Sequence, residues 1–234
     1  MSIASEPVIE RVAPNVWAAA PAPGDGMMTV VATDEGRVVI DTTSYPVFAR
    51  QVRGLVDHET SGSWRFVINT HRHFDHVAGN SAFEECVFIA PRLVYEAMQA
   101  YTPDWVDARV ADWESQGRFR RDWLGEDFHF VLPQVSFERE FTLRLGGITF
   151  EAMSLGGHNP ECTAVFLIEP RILVASDLVF NGKPAYLGEG DRWQWISALK
   201  KLMQLQPTVV IPGHGQVGGA ELLEQQLIEL TKRE

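Results

Sequence analysis

The segment His71-Arg-His73-Phe-Asp75-His76 runs straight on from Trp64–Asn69 (WRFVIN), and it constrains this chain more than any other feature. In extended backbone, side chains two apart point the same way, so His71 and His73 can grip one ion together. The turn that follows aims Asp75 and His76 at a neighbouring position. Imidazole nitrogen and carboxylate oxygen are ligands that zinc accepts, and mixed sites with an open position are the catalytic kind. Three more segments follow: Gly156-Gly-His158-Asn159-Pro160 in a glycine-rich turn, Ala175-Ser-Asp177 after the apolar run ILVA, and Pro212-Gly-His214-Gly215 after TVVI. Glycines beside the ligands let the backbone come close and leave room for a metal. One histidine at a strand end is ordinary, and a lone Asp177 could simply cap a turn. The dense HxHxDH spacing followed by all three other segments is not ordinary. The candidate metal ligands are therefore His71, His73, Asp75, His76, His158, Asp177 and His214. His58 and His129 fall outside these segments and are read as carrying no function.

The rest of the chain supplies a scaffold for those segments. Apolar or β-branched runs predict strands at Val8–Val12, Val16–Ala20, Met27–Ala32, Arg37–Asp41, Trp64–Asn69, Val87–Ala90, Phe137–Leu143, Ile148–Ser154, Ala164–Ile168, Ile172–Ala175 and Val209–Ile211. Helical spacing predicts helices at Pro46–Asp57, a short one near Asn80–Glu84, then Pro91–Ala100, Arg192–Leu205 and Ala220–Lys232. The strands form two groups, each closed by helices, which predicts an α/β fold: a four-layer αββα sandwich in one domain over residues 1–234. Tyr101–Glu126 stands apart as a helical excursion rich in Trp and Arg, read either as a lid over the metals or as plain packing against the sandwich, with a homodimer contact as a further option.

Composition narrows the function. The formal net charge of −11 argues against a nucleic-acid partner, since that binding draws on clustered Lys and Arg. Two cysteines, Cys86 and Cys162, make a disulfide scaffold unexpected and a reduced compartment the default. The N-terminus lacks a basic start and an apolar run, and no stretch approaches the roughly 20 apolar residues of a membrane span. The expected setting is cytoplasmic, with a small-molecule substrate and no membrane partner.

HRHFDH, GGHNPE, ASD and PGHG, together with the leading strand Val38-Val-Ile-Asp41, resemble the metallo-β-lactamase-fold hydrolases over nearly the whole chain. That resemblance implies two zinc ions: one held by His71, His73 and His158, the other by Asp75, His76 and His214, with Asp177 bridging. A shared water would then be ionised near neutral pH, with Asp75 as the catalytic carboxylate that orients it and relays its proton. Asp41 and Thr70 are candidates to hold the imidazoles from behind.

Substrate signals pull in two directions. His158-Asn-Pro-Glu161-Cys162 and Leu187-Gly-Glu-Gly-Asp191 resemble the β-lactamase-like branch, whereas the full HxHxDH plus Asp set resembles lactonases and thioesterases. Phe180 stands where quorum-quenching lactonases carry a Tyr. The expectation is hydrolysis of a cyclic amide or ester. The alternatives are a glyoxalase-type thioesterase and a mononuclear iron persulfide dioxygenase. Trp105, Trp113, Lys183 and Tyr186 are the candidate substrate contacts, with Arg118 as a further carboxylate anchor.

Overall fold

The computed structural model describes residues 8–22, 24–126 and 128–232. Its central strands are buried on both faces, which is why they read as unbroken apolar runs rather than as alternating ones. In the first sheet, Val39 and Val67 point to one core while Val38, Ile40 and Ile68 point to another. In the second, Ala164, Phe166, Leu173 and Val210 face one core, and Val165, Leu167, Val174 and Ile211 face the core shared with the first sheet. Successive side chains alternate faces, so the chain builds three cores between four layers. This is the expected αββα sandwich.

The first sheet takes the order β1 (Val8–Ala13), β2 (Val16–Ala20), β3 (Met28–Thr33), β4 (Gly36–Ile40), β5 (Trp64–Ile68), β6 (Val87–Pro91), β7 (Val135–Phe137). It is antiparallel up to β4 and parallel from β4 onward. Parallel neighbours need crossovers, and α1 (Pro46–Glu59) supplies the first, burying Phe48, Ala49, Val52 and Val56 against the sheet. The second sheet takes the order β12 (Val209–His214), β11 (Ile172–Phe180), β10 (Thr163–Leu167), β9 (Ile148–Ser154), β8 (Glu140–Leu145). Covering its outer face are α5 (Arg192–Gln204) and α6 (Glu221–Lys232). Asp191 caps α5 by accepting from the backbone N–H groups of Trp193 and Gln194.

Three expectations need correction. The strand predicted at Phe137–Leu143 is two strands: β7 closes the first sheet and β8 opens the second, with Glu138 and Arg139 crossing between them. Phe137, Phe141 and Leu143 stay in one two-residue phase, and the exposed Arg139 at the step between them is the only mark of the crossing. The short helix near Asn80–Glu84 is instead α2 (Phe74–Val77) followed by a 3-10 turn at Ala78–Ala82. Finally, β11 and β12 run on to Phe180 and His214, so Asp177 and His214 lie inside strand ends rather than in loops beyond them.

After α3 (Arg92–Met98), the Tyr101–Glu126 stretch is helical as expected: α4 (Pro103–Ser115) and a 3-10 turn at Arg121–Trp123. Pro103 opens α4, and Thr102 caps it by accepting from Trp105 N at 3.2 Å. Among the described residues no helix is long and apolar enough to cross a membrane.

Candidate metal centre

All seven candidate ligands meet at one end of the sandwich. Asp177, on β11, sits in the middle. Its Oδ2 lies 3.2 Å from His158 Nε2, 3.3 Å from His214 Nε2 and 3.7 Å from His71 Nε2, while its Oδ1 lies 3.1 Å from His76 Nε2. His73 completes one side, its Nδ1 3.0 Å from His158 Nε2. Asp75 completes the other, its Oδ2 3.3 Å from His214 Nε2 and 3.7 Å from His76 Nε2. Ligand-type atoms of His71, His73, His158 and Asp177 form one group within 4.8 Å of one another, and those of Asp75, His76 and His214 form another.

Four of the five imidazoles share one construction: a nitrogen faces inward and the other is held from behind. His76 Nδ1 meets Asp41 Oδ2 at 2.8 Å, His158 Nδ1 meets the Tyr186 carbonyl at 3.0 Å, and His214 Nδ1 meets the Gly24 carbonyl at 3.0 Å. Behind His71, Nδ1 faces Thr70 Oγ1 at 3.1 Å. Thr70 in turn donates its N–H and hydroxyl to the two oxygens of Asp41, at 2.8 and 2.6 Å. Partners of this kind fix the tautomer and aim the ring, as in metal sites generally. The expectation for Asp41 and Thr70 is therefore met. Because Asp41 spends its oxygens on these bonds, its own grouping with His71 and His76 is a support behind the site rather than another metal position.

Three buried atoms at the centre, His71 Nε2, His76 Nε2 and Asp177 Oδ1, make no hydrogen bond. Leaving a buried polar group unsatisfied costs about 1–3 kcal/mol. A divalent cation answers that need, and the donor set of imidazole and carboxylate suits zinc. Charge divides the imidazoles. Burial drives His71 and His158 below the usual histidine range. At His76 and His214 burial is outweighed by the Asp177 and Asp75 carboxylates, which raise both, so a bound cation would have to displace their protons. Burial opposes ionisation of Asp177, but His214, His76 and His158 together hold it well below the usual carboxylate range.

The backbone is strained around this cluster. Asp41, Thr43 and Ser176 have φ of 55°, 66° and 51°, a left-handed region that side-chain-bearing residues rarely adopt. Ser176, which sequence reasoning missed, faces Thr70 Oγ1 at 2.6 Å and His71 Nδ1 at 3.4 Å. Its place next to Asp177 was visible in the sequence, but its φ was not. Gly213 is required because a Cβ there would lie 2.7 Å from Asp177 N. Arg72, lodged between two ligands, pairs with the buried Glu161 and with Glu189, tying the HRHFDH loop to the GGHNPE turn. Neither acid was singled out from the sequence for this role.

The cluster lies in a cavity of about 660 Å³, whose wall includes all four predicted substrate contacts, Trp105, Trp113, Lys183 and Tyr186, as well as Arg118. Lys183 Nζ donates to the Gly24 carbonyl and lies 2.9 Å from His214 Nδ1, so it supports a ligand as well as the wall. Trp123 is not part of that wall; it packs edge-on against Tyr45, ring centroids 4.6 Å apart. The excursion thus packs against the sandwich through Trp123 and lines the cavity with Trp105, Trp113 and Arg118. Asp25, Tyr45 and Phe119 also line it and had no sequence signal. Both cysteines are free and buried.

Comparison with known proteins places this geometry in context. The model of the metallo-beta-lactamase superfamily matches residues 21–214. Beta-lactamase-like protein 2 homolog of Caenorhabditis elegans is 23% identical over 195 residues, covering 80% of this chain and 55% of that protein. Metallo-beta-lactamase type 2 of Bacteroides fragilis is 29% identical over 122 residues, 47% of this chain and 49% of the other. The chain thus spans about half the length of these curated relatives. Among solved structures, a metallo-beta-lactamase from Pontibacter korlensis superposes with a TM-score of 0.74 at 21% identity, covering 97% of this chain and 100% of that one.

Proposed function

This chain belongs to the metallo-β-lactamase superfamily, and from that premise we propose that it is a di-zinc hydrolase that opens a cyclic amide or ester in a small molecule. The observation that carries the reading is the set of three buried atoms without a hydrogen bond, His71 Nε2, His76 Nε2 and Asp177 Oδ1, facing one another among further ligands. His71, His73 and His158 would hold one ion, Asp75, His76 and His214 the other, and Asp177 would touch both. A zinc pair supplies a water ionised near neutral pH and a Lewis acid for the carbonyl.

The chain's own residues do the rest. Asp75 is 33% exposed against 3% for Asp177, so it is the carboxylate that can meet a water in the cavity, orient it and take its proton. Asp41, Thr70, Ser176 and the Gly24 and Tyr186 carbonyls keep the imidazoles aimed inward. Phe180 and the α4 tryptophans give the cavity the aromatic walls usual for small-molecule sites. Tyr186 and Lys183 stand at the same wall to contact the substrate.

A lactam is the first substrate to test, because the Bacteroides fragilis relative is named a metallo-beta-lactamase. Zinc-loaded protein should turn over members of a panel of lactams and lactones, with two zinc ions counted per chain. Turnover of thioesters alone would move the assignment to a thioesterase. One iron per chain with persulfide oxidation would end the hydrolase reading. That outcome would leave His76 and His214 idle, although both turn a nitrogen toward Asp177.

A further inference from the structure

Trp105, Arg109 and Trp113 recur at four-residue intervals on α4, so they share one helix face, and all three line the cavity that holds the ligand cluster. The Arg109 guanidinium carbon lies 5.6 Å from the Trp105 ring centroid and 5.7 Å from that of Trp113. Both rings are backed in turn. Tyr101 stacks on Trp105 at 4.3 Å with planes 14° apart, and Phe74 meets Trp113 edge-on at 4.9 Å. A guanidinium held over aromatic rings keeps its N–H donors free at its edge, in a fork that matches a carboxylate. Arg118 lines the same cavity and bonds only a neutral acceptor, Gln116 Oε1, at 3.2 Å.

These two arginines differ from their neighbours. Arg92, Arg120 and Arg121 each pair with a carboxylate: Glu96 and Glu138, Asp122, and Asp107. Within the cavity, Arg72 is taken by Glu161 and Glu189, and Lys183 by the Gly24 carbonyl. Among the described residues neither Arg109 nor Arg118 forms an ion pair, although the chain carries 31 acidic residues to 20 basic ones.

We propose that Arg109 and Arg118 select substrates bearing a carboxylate remote from the bond that is cut, with Trp105 and Trp113 holding Arg109 in place. This deepens the hydrolase reading and rests on it. The test uses N-succinyl-homoserine lactone and its methyl ester, whose tails differ in charge and one methyl group, with turnover read as opening of the lactone ring alone. Zinc-loaded protein should prefer the acid by about tenfold or more in kcat/KM. R109Q and R118Q should each lower that acid-to-ester ratio several-fold, chiefly through KM, and R109K should restore it only in part because charge returns without the fork. A wild-type ratio near one, or a ratio unmoved by the variants, overturns the proposal.

A second arm separates the two readings. Tryptophan fluorescence is titrated with 3-phenylpropionate and with its neutral amide. Tighter binding of the acid, lost in R109Q, supports the anion site even where neither lactone is opened, an outcome that counts against the ring-opening reading alone. Equal binding of acid and amide overturns the anion site whatever the kinetics show.

Discussion

The ligand-bearing wall of the cavity and the α4 wall facing the same space are held by different forces. The first grows from strand ends and is cross-tied in the interior: Asp41 to Thr70 and His76, Thr70 to Ser176, Arg72 to Glu161. It also keeps three residues at left-handed φ, which costs on the order of 1–3 kcal/mol each and persists only where the surroundings impose it. The second is held by ring packing, Tyr101 on Trp105 and Trp113 on Phe74, and by exposed ion pairs such as Arg121–Asp107. Surface pairs of that kind are worth about 0–1 kcal/mol. A wall with one solution keeps chemistry constant, whereas a wall with many solutions lets the substrate change. The difference fits the proposed division, with reaction on one side and selectivity on the other.

Substitutions can break that division, beginning where the effect is largest. His73→Ala or Asp75→Ala should remove nearly all turnover, about 10³-fold or more, equivalent to roughly 4 kcal/mol of barrier, while circular dichroism still reports a folded chain. Dialysis against a chelator should do the same and added zinc should reverse it; activity retained by both variants would dissolve the contrast. Asp41→Asn keeps the shape and tolerates the left-handed backbone, yet removes the charge behind His76. A fall of about 10–100-fold in zinc affinity is expected, read by competition with a chromogenic chelator.

On the other wall, Trp105→Ala and Trp113→Ala should shift substrate preference several-fold across a lactam and lactone panel, with zinc stoichiometry unchanged. Uniform losses across the panel would show that α4 only packs. The smallest effect concerns Cys86, whose burial pushes its thiol from an ordinary 9.0 up to about 12. The native protein binds this proton more tightly than the unfolded chain does. The contribution is therefore present below pH 9 and lost as pH rises toward 12. Cys86→Ala should flatten the alkaline fall in Tm, and iodoacetamide should not label native Cys86 at pH 8.

Much of the fold could be read along the chain because both sheets are covered on both faces, leaving runs such as Val38–Ile40 and Ile172–Ala175 apolar throughout. The crossing at Glu138–Arg139 escaped notice because Phe137, Phe141 and Leu143 share one two-residue phase across it, with Arg139 as the single break. The candidate metal ligands were legible because coordination demands particular side chains, and the HxHxDH spacing puts four of them on one short segment. Their supports were not: Ser176, the Gly24 and Tyr186 carbonyls, Glu161 and Glu189 come from distant positions, and backbone carbonyls leave no mark in residue identity.

Local pattern and side-chain chemistry thus determined that this chain forms a layered sandwich and carries acids and imidazoles suited to a metal. Only the tertiary structure decided that Asp177 faces both ligand groups, that Asp41 stands behind His76, and that Arg109 opens onto the cavity. The reason is reach. Hydrophobic period is written within a few neighbouring residues, whereas the direction of each donor atom depends on which strands pack side by side across the chain.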